Sequence, residues 1–131
     1  MDNIFNLPNP NQWGCIVTQL AKGHGLLVIK LINKSNADGP VQLEFSNVDY
    51  FGGWTAWRGC NFRVGTNKEL VNLVTTVAPR YKNSSEYELL KLSPFASNRL
   101  FICNTVEDDT IYIIANAGRT LNARGDTVIE Y

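Results

Sequence analysis

Few residues in this chain are placed to do covalent chemistry. His24 is the only histidine and lies between Gly23 and Gly25 in AKGHG. A general base needs an orienting partner, and a metal site needs further ligands. No carboxylate or cysteine stands near His24 in sequence, so it reads as an exposed turn residue. Glu107, Asp108 and Asp109 are consecutive acids without the spaced ligands of a calcium loop, and read as a solvated turn. Glu86 and Glu88 share one face of a predicted strand, whereas a glycosidase pair must converge from separate elements across a cleft. Cys15, Cys60 and Cys103 lie at least 43 residues apart, so no CxxC pair exists for zinc or redox work. Their odd number is a poor disulfide framework, and their apolar neighbours point to buried, reduced thiols. No GxGxxG, Walker A, GxSxG or HExxH motif occurs. The chain reads as non-catalytic, with no catalytic residues, cofactor or metal expected; the remaining catalytic alternative is a cleft assembled from scattered acids, which has no local signature.

Recognition is better provided for. YFGGWTAWRGCNF, residues 50–62, holds five aromatic residues and three glycines. If residues 54–62 are extended, period two sets Trp54 and Arg58 on one face and Trp57 on the other. One tryptophan then fills the core, and the other lies near the surface beside Arg58. An exposed tryptophan with an arginine neighbour is the composition of an interface hot spot. Trp54, Trp57 and Arg58 are the candidate partner-binding residues, and the pattern leaves open which tryptophan is exposed. The competing placement puts both in the core. Base stacking on the same residues would need a basic surround, and the sequence offers none.

Twelve Lys and Arg balance twelve Asp and Glu in 131 residues. Zero net charge gives no general attraction for nucleic acid or for an anionic membrane, and leaves association into a homodimer unopposed. No segment resembles a secretory signal, and no apolar run reaches the roughly eighteen residues of a membrane span. With free cysteines, the expected location is the cytoplasm.

The elements that must position these residues are mostly strands. A single domain over 1–131 is expected, with an extended arm at 1–12 whose Ile4, Phe5 and Leu7 pin it to the body or to another subunit. CIVTQL and LLVIKLI flank a glycine-containing turn, as in a hairpin. Val41, Leu43 and Phe45 alternate with Gln42, Glu44 and Ser46, the pattern of a half-buried strand. The glycines after Phe51 predict a bend or bulge. CNFRV, EYELLKL, RLFICN, TIYIIAN and DTVIEY read as further strands. Thr66 and Glu69 form a capping box, and Leu70, Leu73, Val74 and Val77 follow at helical spacing, predicting a helix over about 67–78. Short turns between consecutive strands imply an α+β fold, with a mainly antiparallel, strongly curved sheet or partial barrel and one amphipathic helix.

HGLLVIKLINKSNADGPVQLEFSNVDYF, with the later YELLKLSP and LFICN, resembles small bacterial immunity proteins of polymorphic-toxin systems. The matching residues are Leu43, Phe45 and Val48, then Phe101 and Cys103. The resemblance implies a cytosolic protein that works by binding another protein, such as a toxin, without catalysis of its own. The alternative function is small-ligand binding in a pocket between helix and sheet.

Overall fold

A computed structural model describes residues 3–21, 25–33, 40–78 and 98–131. His24, Glu86, Glu88 and the predicted EYELLKL strand lie outside the described residues. The alternating stretches pair as expected. β1 (Gly14–Leu20) and β2 (Gly25–Ile32) form an antiparallel pair, and β2 pairs with β3 (Gln42–Val48). Leu27, Ile29, Leu31, Leu43 and Phe45 are buried on the inner face.

Beyond β3 the chain turns a corner. β3 and β4 (Tyr50–Gly52) are separated only by Asp49, and Asn47 just before the corner takes a left-handed φ of +51°. β8 (Thr110–Ala115) and β9 (Ala117–Leu121) are separated only by Asn116. At the corner Asn116 N–H donates to Ser46 O and Asp49 N–H donates to Ile114 O, both at 2.9 Å. Two bent strands therefore stay paired as they pass from one sheet to the other. With β5 (Ala56–Arg58), β6 (Phe62–Val64), β7 (Arg99–Asn104) and β10 (Thr127–Glu130), the order is β10-β9-β3-β2-β1-β5 in one sheet and β4-β8-β7-β6 in the other. All pairings are antiparallel, and the curved sheets do not close into a barrel. The fold is α+β.

The main core lies between the sheets. Phe45 packs against Phe5, Phe62 and Phe101 with ring centroids 5.9, 5.6 and 5.0 Å away. Phe5 comes from the N-terminal arm. That arm coils through left-handed Asn3, Asn6 and Asn9 into a 3-10 turn at Pro10–Gln12, so it is not a simple extended run. Asparagine tolerates this conformation better than most non-glycine residues. Phe5 and Leu7 are buried, and Ile4 N–H donates to Phe62 O at 3.0 Å, so the arm is pinned to its own body.

The helix, α1 (Asn67–Val77), covers the opposite face of the four-stranded sheet. Both halves of the capping box form: Thr66 Oγ1 accepts from Glu69 N–H, and Glu69 Oε1 accepts from Thr66 N–H. Leu70 and Val74 bury against Leu100, Ile102 and Ile114, with Leu73 packed beside them. Val77 is 42% exposed, so the buried stripe stops a turn short of the sequence pattern. Glu69 also takes both Arg63 guanidinium N–H groups, at 2.9 and 2.8 Å, which ties the helix start to β6. The Arg63 guanidinium holds the Glu69 carboxyl down at about 2.

Two outcomes follow for stability. Leu70→Ala should cost about 2–5 kcal/mol through the cavity it leaves, and Thr66→Ala about 1 kcal/mol. Denaturant melts rank the two, and a larger loss at Thr66 would show that packing does not carry the helix. The folded Glu69 value lies below the unfolded one, so its contribution is full above the usual carboxylate range and is lost as pH falls through the folded value of about 2. Arg63 and Glu69 are 34% and 36% exposed, so solvent screening holds the contribution near ~1 kcal/mol. Glu69→Gln should lower stability at neutral pH by that amount, with the deficit shrinking between pH 4.5 and about 2. Melts in which the deficit is flat across that window would remove the ion pair as its cause.

Candidate functional site

The aromatic segment is the crossing from the four-stranded sheet to the edge of the six-stranded one. Gly53 makes the turn at φ +147°, and a Cβ there would stand 2.4 Å from Ile111 Cδ1. A side chain there would hold a strained backbone conformation and would have to push the Ile111 methyl aside. Trp54 follows on the bend, 63% exposed, with its indole N–H donating to Asp109 Oδ2 at 3.2 Å. The chain then enters β5, which pairs with β1 in the register Gly14↔Arg58, Cys15↔Trp57 and Ile16↔Ala56.

That register decides the two tryptophans. Trp57 lies opposite buried Cys15 and points inward, 9% exposed. Its ring packs near Phe51 at 6.5 Å, and its indole N–H donates to Gly59 O at 2.8 Å. Arg58, one residue on, faces outward and is exposed. Of the three residues expected to meet a partner, Trp54 and Arg58 stand at the surface. Of the two tryptophans the sequence pattern left open, Trp57 is the inward one, because its register opposite Cys15 places it on the inner face.

The three cysteines converge here, which their wide spacing did not signal. Gly59, at φ +109°, turns its carbonyl into the core, where it accepts from Cys103 Sγ at 3.4 Å and Cys15 Sγ at 3.7 Å as well as from Trp57. All three thiols are buried and unpaired. The neighbouring Cys15 thiol and burial raise the Cys60 thiol well above the usual range, and burial pushes Cys103 up to about 12. Thiols held so far up are poor nucleophiles at neutral pH. Among the described residues, no group of three His, Cys, Asp or Glu is arranged to hold a metal ion.

The acidic turn borders Trp54 and β5. Thr105 organises it: its Oγ1 accepts from Asp109 N–H at 3.0 Å, and its N–H donates to Asp109 O at 2.8 Å. Val106 N–H donates to Arg58 O at 2.8 Å, so the turn caps the outer edge of β5. Glu107, Asp108 and Asp109 are exposed. Where a ligand pocket between helix and sheet was the alternative, the structure has an open groove of about 400 Å³ lined by Glu69, Asn72, Leu73, Thr76 and Tyr112. No helix among the described residues is long and apolar enough to cross a membrane.

Compared with protein-family models, with curated proteins and with solved structures, the chain matches none.

The burial contrast among Trp13, Trp54 and Trp57 gives a direct optical check. Trp13 and Trp57 are buried, so acrylamide should quench one accessible tryptophan and leave a protected fraction. Trp54→Phe should remove the accessible fraction with little change in melting temperature. Persistence of that fraction in the variant would place a second indole at the surface.

Proposed function

We propose that this chain is a non-catalytic protein-binding module, acting as an immunity-type inhibitor that holds another protein through the margin carrying Trp54 and Arg58. The observation that carries the reading is the Trp54 indole, 63% exposed yet anchored to Asp109 on a bend that glycine makes without strain. Among the described residues, most large apolar side chains are buried. An exposed tryptophan fixed in place offers a large contact area at little cost in conformational entropy. Arg58 adds a guanidinium on a strand whose edge is already hydrogen-bonded, so its backbone is also fixed. In this reading the partner is a toxin, the location is the bacterial cytoplasm, and a homodimer is compatible with the zero net charge.

A tagged chain and a Trp54→Ala/Arg58→Ala double variant, each passed over a lysate of the native host, test the proposal. The parent should retain a stoichiometric partner that the double variant loses, while the two proteins melt at nearly the same temperature. Equal retention would remove the site assignment. A collapse in melting temperature would show the two side chains to be structural.

A further inference from the structure

The outer face of β5, β1 and β2 continues from Arg58 and carries its own signature. Directly opposed residues of antiparallel strands share one face of the sheet. The register therefore lines up Arg58, Gly14 and Ile32 in one cross-strand row and Ala56, Ile16 and Lys30 in the next. Their chain neighbours Cys15, Leu31 and Trp57 fill the core, so these two rows face solvent. Ile16 and Ile32 are 39% and 41% exposed. Gly14 and Ala56 are small, and with the isoleucines they line a shallow trough of about 510 Å³. Single exposed aliphatic residues are ordinary, but apolar residues adjacent in two rows make a patch.

Among the described residues, the two charged side chains in these rows are both cations. Lys30 and Arg58 are exposed, and neither forms an ion pair with a described residue. The carboxylate on the next strand that could offset them, Glu44, is held by Arg119 at 2.8 Å and by Gln42 at 2.6 Å. The acidic turn meets β5 through the backbone bond from Val106 N–H to Arg58 O. Such bonds lie in the plane of a sheet, which puts the turn at the rim and not over the face. Among the described residues, two cations without an ion-pair partner thus stand beside an apolar trough.

We infer that this face docks a protein segment presenting an apolar side chain flanked by carboxylates. The apolar group enters the trough between Ile16 and Ile32, and the carboxylates meet Lys30 and Arg58. This rests on the reading of the Trp54–Arg58 margin as a partner site, extends it through Arg58 onto the sheet face, and names the partner's chemistry. Arg58 supplies the planar fork that pairs with a carboxylate through two N–H groups, and Lys30 supplies a point charge. Partner charges at such a rim act mainly on encounter rate and on rejection of wrong partners.

A random dodecapeptide library displayed on phage is selected on the immobilised full chain, and the consensus peptide is synthesised and titrated. The expected consensus has Asp or Glu on both sides of a Leu, Ile, Phe or Trp. Its Kd should rise about tenfold or more in Lys30→Glu/Arg58→Glu and in Ile16→Glu, which corresponds to about 1.4 kcal/mol or more. Binding should also weaken as salt rises from about 0.05 to about 0.5 M. Unchanged melting temperatures confirm that the variants fold. A basic or uncharged consensus, an empty selection, or peptides that bind the charge-reversed variant as tightly as the parent would each overturn the inference. Peptides lost in Trp54→Ala but kept in Ile16→Glu and Lys30→Glu would overturn it while leaving the Trp54 margin as a binding site.

Discussion

The Gly59 carbonyl is where the two sheets are joined on their open side. A buried carbonyl must find donors, and this one finds them in both sheets. Trp57 on β5 and Cys15 on β1 belong to the six-stranded sheet, and Cys103 on β7 belongs to the four-stranded one. A thiol is a weak donor, so the indole N–H supplies most of the stabilisation, on the order of 1 kcal/mol net. The backbone around Gly59 is committed as well. Its N–H donates to Trp13 O at 2.8 Å, and Cys60 N–H donates to Pro10 O at 2.9 Å, which ties in the N-terminal arm. A side chain at Gly59 would need both a left-handed φ and space that the Val106 backbone nitrogen, 3.2 Å from an ideal Cβ, does not leave. Because this junction takes Trp57 inward, the surface is left to Trp54 and Arg58.

On the opposite side, the sheets are joined by continuous chain. β3–β4 and β8–β9 each bend at a corner while remaining paired, so the sheets curve around the phenylalanine cluster without closing. Closure of the open side falls to β5 and β6, three residues each, linked through residues 59–61. Short edge strands are poor templates for adding another strand. On β5 the Arg58 carbonyl is further occupied by Val106 N–H. This margin therefore offers side chains and a sheet face, and little free backbone edge for strand addition.

Sequence legibility tracks how local each cause is. The capping box at Thr66 and Glu69 is a local device, and the helix starts where it says. β1, β2, β3, β7, β8 and β10 follow alternation or apolar runs that can be read within a few residues. β9 was not legible, because its inward positions are Gly118 and Thr120. Gly118 is small because the Phe45 ring lies across it, 2.7 Å from an ideal Cβ, and Thr120 Oγ1 is used by the Ile129 backbone. Neither residue shows the alternation that announces a strand. The division into two sheets was equally hidden, since the corners fall at Asp49 and Asn116 without proline or glycine. At the candidate site, period two predicted that Trp54 and Arg58 would part company with Trp57. Which side faced inward was set by Cys15 across the strand pair, a contact spanning 42 residues that the local pattern does not contain. The convergence of the thiols is the same kind of long-range fact.

β5 carries a core residue between two residues of the proposed docking face. In Ala56-Trp57-Arg58 the central residue closes the core through its indole, and its two neighbours face solvent on the other side. Alternation isolates the two tasks, because successive side chains of a strand leave opposite faces of the sheet. Changes at positions 56 and 58 alter the shape and charge of the outer face while the contacts of Trp57 with Gly59 and Phe51 stay in place. The glycine at 59 holds that arrangement fixed: the strand cannot slip by one residue without moving Arg58 into the core and Trp57 into water. The proposed docking face and the core are therefore set by the same register.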